Sequence, residues 1–463
     1  MRIPRNVRSA RLGSSLGVLT GAAVGVAAVA LTGVAVAHQA LAPPRAVLET
    51  THLPPLLTVP REPVRLTFDV HCIAAGVEDP ERGCDASGTA YIRETGSMAF
   101  SGISLRSDES SGVRQLTTVV PPEIASSPDG FEYYAQLRSA ATGGSLTMPS
   151  GGAEAPYRAL PLTAAIDVNL GSHVFGATRD GARVASAPWG DGPFDAGLEQ
   201  GKSVGAIGAS AFDVDRSGTV LVLDEAHRRV LRWARGAKTP AHVPLSIEGR
   251  LADMIVDEDG SIYVLESVAR PGRGPLVRRF DEYGRELDAV ETAERASSQI
   301  RPGPIGPVVL QQPSSQWMPV ARDGSPLAAE HQRRAGSNGR PLRGGGEVVV
   351  LRQGNEVRAA VVSNGRIRSA WRIASSTPVG EVQVAQPLGQ RLVLVVRLYS
   401  AMSAEFAVLI LDQHGVAKSF AVDAAEWAET APLGRFRLVN GALYRLGSDA
   451  RHAFVDRFDL EVR

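Results

Sequence analysis

The chain has 463 residues, enough for two or three domains with sizeable cores. Its 49 basic and 49 acidic residues cancel, which removes the global charge that binding a polyanion requires and excludes nucleic acid as an expected partner. The 48 glycines and 30 prolines, set among short Val, Leu, Ile and Thr runs, favour an all-β protein with many tight turns.

At the N-terminus, Arg2, Arg5, Arg8 and Arg11 precede an uncharged stretch, residues 12–37, rich in Gly, Ala and Val. Ala35-Val36-Ala37 fits a small-x-small cleavage site, so residues 1–37 are expected to form a signal peptide or, if uncleaved, a single transmembrane anchor helix. Arginines on one side place the rest of the chain outside the cytoplasm, secreted or membrane-anchored. Residues 38–63, with Pro43-Pro44, Pro54-Pro55, Pro60 and Pro63, read as a Pro-rich tether.

From about Val64 the chain alternates apolar and polar residues in short runs split by Pro121-Pro122, Pro128-Asp129-Gly130 and Gly143-Gly144. That rhythm predicts a small β-sandwich-like domain over residues 64–162. Cys72 and Cys84 are the chain's two cysteines, and in an exported protein the expected outcome is a disulfide, stabilising by roughly 3 kcal/mol. The alternative, a metal site with His71, needs a fourth ligand.

Residues 163–463 carry an internal repeat. Residues 212–233 and 254–280 spell nearly the same phrase, with matching turn glycines Gly218 and Gly260 set 42 positions apart (260 − 218). A period of about 40–50 residues marks a radial or stacked array. Strand clusters at 166–187, 211–233, 251–290, 308–320 with 347–373, 382–422 and 436–460 predict a C-terminal β-propeller of about six blades, closed by pairing of its last strands with early ones. Between Gln311 and Gly346 the pattern dissolves, which predicts a long mobile loop.

The first repeat carries Asp213, Asp215, Gly218, Asp224, Arg229, Val230 and Trp233 in an order that resembles an NHL-type propeller repeat. The resemblance is confined mainly to residues 209–290, and the second copy departs from it at Glu266 and in a lengthened turn, residues 271–275. It implies blades that present loops around a central axis.

Several motifs suggest chemistry. Asp213, Asp215, Ser217, Gly218 and Asp224 match the spacing of a calcium loop, but the alternation after Val220 is that of a strand where such a loop needs a helix. Residues 196–203 satisfy a relaxed P-loop pattern without the strand and helix that would frame it. The nine histidines show no metal-ligand spacing. Asp224, Glu225 and His227 crowd one turn and form the candidate ligand site. Arg333, Arg334, Arg340, Arg343, Arg352, Arg358, Arg366 and Arg368 form an arginine-dense stretch that suggests an anionic surface contact. No catalytic set, cofactor or metal is expected from these patterns. The expected role is an extracytoplasmic binding or scaffold module, not an enzyme, that presents a loop surface to a protein or cell-envelope ligand. The alternative is a propeller enzyme of lyase or hydrolase type with a site at the axis, cation-dependent in one version.

Overall fold

The computed structural model describes residues 47–74, 77–78, 85–108, 115–140, 142–200, 205–266, 274–429 and 434–460. The expected signal or anchor, residues 1–37, and Cys84 lie outside the described residues, among which no helix is long and apolar enough to cross a membrane.

Two sheets face each other in the first part of the chain. Strand Val47–His52 pairs antiparallel with Arg65–Ala74, which continues to Gln115–Val119 and Arg106–Asp108. The facing sheet runs Leu57–Thr58, Tyr157–Pro161, Phe131–Ser139, Ala86–Glu94, Ser101–Ser104. Along Phe131–Ser139 the residues Phe131, Tyr133, Ala135 and Leu137 point into the core, as the period-2 pattern requires. Val47–His52 and Leu57–Thr58 fall inside the stretch expected to be a tether, and they are strands of this sandwich. Pro54 and Pro55 sit in the bend between the two strands, where they remove no ladder hydrogen bond. Cys72 lies in Arg65–Ala74, its Sγ 3.7 Å from Ser139 Oγ.

Six larger sheets follow. The first comprises Ala211–Val214, Val220–Asp224, Arg229–Trp233 and Ala241–Pro244; the second Leu251–Val256, Ile262–Glu266, Leu276–Phe280 and Glu286–Glu291. The third runs Ser297–Pro302, Pro307–Gln311, Trp317–Pro319. The fourth runs from Arg340–Pro341 through Glu347–Gln353 and Glu356–Ser363 to Arg366–Ala374, and the fifth from Val379–Leu388 to Gly415–Asp423. The sixth begins at Phe436–Val439 and ends at His452–Asp459. Inner strands of the first, second and third sheets stand side by side, as do those of the fourth, fifth and sixth, and the leading strand of the sixth returns to the first. The arrangement is a β-propeller.

Two expectations change at its seams. The cluster at 166–187 splits: Ile166–Asn169 adds in parallel to Arg366–Ala374, and Ala182–Pro188 adds antiparallel to His452–Asp459. Early strands thus complete the outer edges of two late sheets, and the second pairing closes the ring. The segment expected to be a long mobile loop holds Trp317–Pro319, a small hairpin of Ala321–Arg322 and Ser325–Pro326, and a helix, Ala329–Arg334. Polar side chains hold it: Gln332 Nε2 donates to the carbonyls of Glu291 and Leu327, and Arg333 to that of Ala293.

Apolar clusters fill the gaps between first and second, second and third, fourth and fifth, fifth and sixth, and sixth and first sheets. Fully buried members such as Phe212, Phe280, Phe406 and Phe458 each contribute about 1.5–3 kcal/mol. At the fourth sheet the sandwich intervenes, since Val349, Ala360, Val362 and Ala370 belong to the same core as Phe68, Tyr133 and Tyr157. Tyr157 Oη donates to the carbonyl of Ser314, and Arg358 to that of Leu57. The sandwich is therefore seated between the third and fourth sheets, with its Leu53–Leu56 bend over the axis of the ring.

Candidate active site

Three leading strands are apolar runs that carry one interrupting charge, and these charges meet near the axis. In Ala211–Val214 the charge is Asp213, in Leu251–Val256 it is Asp253, and in Phe436–Val439 it is Arg437. Arg301 and Arg340 come from the third and fourth sheets. A cavity of about 820 Å³ lies along the axis, lined by Asp213, Arg301, Arg340 and Arg437, with Leu53 and Leu56 of the sandwich at its wall.

Asp253 lies behind that lining, with its side chain 1% exposed. Its Oδ1 accepts from Arg437 Nη2 at 2.6 Å and from the Met254 amide; its Oδ2 accepts from Arg301 Nη1 and, at 3.1 Å, from the Ile300 amide. One carboxylate thus holds two guanidiniums from opposite parts of the ring. Asp213 Oδ1 and Oδ2 accept from the amides of Val214 and Val256 at 2.9 and 2.8 Å, and Arg437 Nε stands 3.7 Å from Oδ1. Burial pushes the Asp213 carboxyl above the ordinary carboxylate range, against the pull of Arg437 and those amides. Arg340 donates to the carbonyl of Ala385 in the neighbouring sheet, and burial together with Arg301 and Arg437 pulls its guanidinium down to about 10. Arg340 keeps some exposed surface, but that surface faces the cavity and protein encloses it on the remaining sides. The rim is an ion network in which Arg343 pairs with Asp257 and Glu258 at 3.3 and 3.1 Å and Arg216 pairs with Glu258.

Such a set can do two things chemically. Clustered guanidiniums bind and stabilise negative charge, and a carboxyl whose proton is held more tightly than usual is suited to acid–base transfer nearer neutral pH.

The candidate turn lies elsewhere. Val220–Asp224 has the Asp215–Thr219 turn, part of the cavity rim, at one end, and Asp224, Glu225 and His227 at the other. Asp224 Oδ2 accepts from Arg229 Nε at 2.9 Å and contacts His227 Nδ1 at 2.8 Å, while its Oδ1 accepts from the Gly197 amide at 3.1 Å. Glu225 Oε1 accepts from the Leu251 amide, and His227 Nε2 approaches Asp191 at 3.4 Å. These bonds pin the 190–197 segment to the first sheet. The calcium-loop spacing comes apart likewise: Asp213 faces the axis, Asp215 caps its own turn through Ser217 and Thr219, and Asp224 anchors the opposite end. Of the P-loop-like stretch, residues 201–203 lie outside the described residues, and Glu199–Gln200 is a strand paired with Ala206–Ile207. The arginine-dense stretch forms no single surface, because Arg340, Arg343 and Arg352 line the cavity while Arg358 turns to Glu356 and the sandwich.

Asp253, Arg301 and Arg437 were missed in the sequence, although Asp253 and Arg437 each stand in an apolar leading strand. A charge in such a run is rarely buried unless it is paired, and that was the available signal.

No protein-family model matches the chain, and no curated protein matches it in sequence. Solved structures that it resembles include virginiamycin B lyase from Staphylococcus aureus, at 10% identity over 55% of this chain and 86% of that one, with a TM-score of 0.30. Another is the PQQ-bound aldose sugar dehydrogenase from Streptomyces coelicolor, at 12% identity over 61% and 97%, with a TM-score of 0.32. A third is a luciferin-regenerating enzyme, at 7% identity over 55% and 92%, with a TM-score of 0.33. The likeness to these structures is one of fold; the expectation that the chain is not an enzyme is corrected on the geometry of the axis, where Asp213, Arg301, Arg340 and Arg437 line one cavity.

Proposed function

We propose that this chain is a propeller enzyme of lyase or hydrolase type whose site is the axial cavity. The observation that supports this reading is Asp213, a buried carboxyl with its proton affinity raised, facing a cavity shared with Arg301, Arg340 and Arg437. A proton moves between Asp213 and the substrate, and the guanidiniums carry the negative charge that develops there. The test is to incubate the full chain and its Asp213→Asn variant with a small-molecule extract and follow composition by mass spectrometry. The expected result is conversion by the wild type that falls about 100-fold in the variant. Equal conversion by both, or none by the wild type, would overturn the reading.

The six sheets are read as six blades, the first of NHL type on the strength of Asp213, Asp215, Gly218, Asp224 and Arg229, and the second a copy that departs from it at Glu266. The arginines and apolar run of residues 1–37 support export, with the enzyme secreted or anchored outside the cytoplasm, and Cys72 is proposed to pair with Cys84.

A further inference from the structure

The charge lining the axial cavity is unbalanced. Arg301, Arg340 and Arg437 meet two carboxylates, Asp213 and Asp253, and Asp253 is already shared by Arg301 and Arg437. Arg340 has one hydrogen bond among the described residues, to the carbonyl of Ala385, and no carboxylate. Arg352, farther along the lining, donates to the carbonyls of Gly354 and Val379. A guanidinium enclosed by protein without a counter-charge is costly, and its planar fork matches a carboxylate with two parallel bonds.

At about 820 Å³ the cavity is sized for a small organic molecule rather than a bare inorganic ion. Its wall supplies apolar contact. Leu53, in the bend of the sandwich, lines the cavity and is 83% exposed, and the buried Leu56 and Trp317 line it too. Apolar side chains in the lining of a small-molecule-sized cavity offer contact to the apolar body of a ligand.

Taking the axial cavity as the active site, we propose that its substrate is an amphiphilic organic carboxylate, with its head on Arg340 and its apolar body against Leu53, Leu56 and Trp317. The sandwich then helps to select the substrate, since it supplies Leu53 and Leu56.

The test is titration of the full chain with octanoate, octanol and inorganic phosphate, followed by calorimetry and tryptophan fluorescence. Octanoate is expected to bind at least about tenfold more tightly than either octanol or phosphate. Arg340→Met should lose about tenfold in octanoate affinity, Arg340→Lys less. Leu53→Ala, at an exposed position that folding does not depend on, should weaken octanoate and leave phosphate unchanged, and it carries the test if Arg340→Met does not fold. The proposal is overturned if octanol or phosphate binds as well as octanoate, or if Arg340→Met or Leu53→Ala binds octanoate like the wild type. Turnover that depends on Asp213 without octanoate binding would overturn this inference alone. Octanoate binding without such turnover would support it and overturn the enzymatic reading instead.

Discussion

Arg437 reaches 184 residues back along the chain to donate to Asp253 Oδ1 at 2.6 Å, joining the last sheet of the propeller to the second across the axis. Asp253 keeps Arg301 when Arg437 is removed, so Arg437→Met should cost about 1–3 kcal/mol, whereas Asp253→Leu, which strips both guanidiniums of their shared carboxylate, should cost about 3–5 kcal/mol. Replacing both groups, as Asp253→Leu with Arg437→Met, should cost less than the sum of the two single variants. Urea unfolding of the four proteins checks this, and strict additivity would show that the pair is not coupled.

His52 predicts a pH dependence. Its ring is buried against Phe68, contacts Tyr133 Oη at 2.8 Å, and is pushed down to about 4, with burial the main cause. Between pH 6.5 and 4 the unfolded chain takes up a proton at this position and the folded chain does not. Stability from this group is therefore complete above about pH 6.5 and lost as pH falls toward 4, by about 3 kcal/mol. Asp213 and Glu294, both raised by burial, act with the opposite slope above the ordinary carboxylate range. Unfolding midpoints of wild type and His52→Gln across pH 4–7 isolate the histidine: the difference between the two curves should narrow as pH falls.

Glycine turns should differ in cost. Gly260 has φ +83° and open space around a Cβ, so Gly260→Ala should cost only the left-handed backbone penalty, about 1–2 kcal/mol. Gly284 has φ +87°, and a Cβ there would stand 2.1 Å from the Pro244 carbonyl oxygen of the first sheet. Gly284→Ala should therefore cost roughly 1–3 kcal/mol more, because backbone from two sheets must part. Equal midpoints for the two variants would contradict the close approach.

Asp224 is an anchor in this account. Its side chain is 1% exposed and holds Arg229, His227 and the Gly197 amide. Asp224→Ala should destabilise by about 3 kcal/mol, through an unpaired Arg229, and leave any turnover in the folded protein at the wild-type rate. A large fall in turnover with stability intact would move the site to this turn.

What was legible in the sequence was local. The phrase shared by residues 212–233 and 254–280 announces a hairpin, a turn glycine and a further strand, and all of these appear. The pairing of Ala182–Pro188 with His452–Asp459 was legible only as a requirement, because nothing local distinguishes an edge strand that travels to another sheet. Proline count misled at Val47–His52, since prolines that flank a strand leave its ladder intact. The axial site was hidden for a related reason: Asp213, Asp253, Arg301, Arg340 and Arg437 come from five sheets, and only ring closure sets them side by side. Crowding along the chain, as at Asp224, Glu225 and His227, pointed instead to a turn that holds the fold together.

The most direct test of the axial cavity as the functional site is a crystal of the full chain soaked with a library of small organic acids. The account predicts bound molecules between Arg340 and Asp213, inside the cavity. Molecules gathered at the Asp224–His227 turn, with the axis empty, would contradict it.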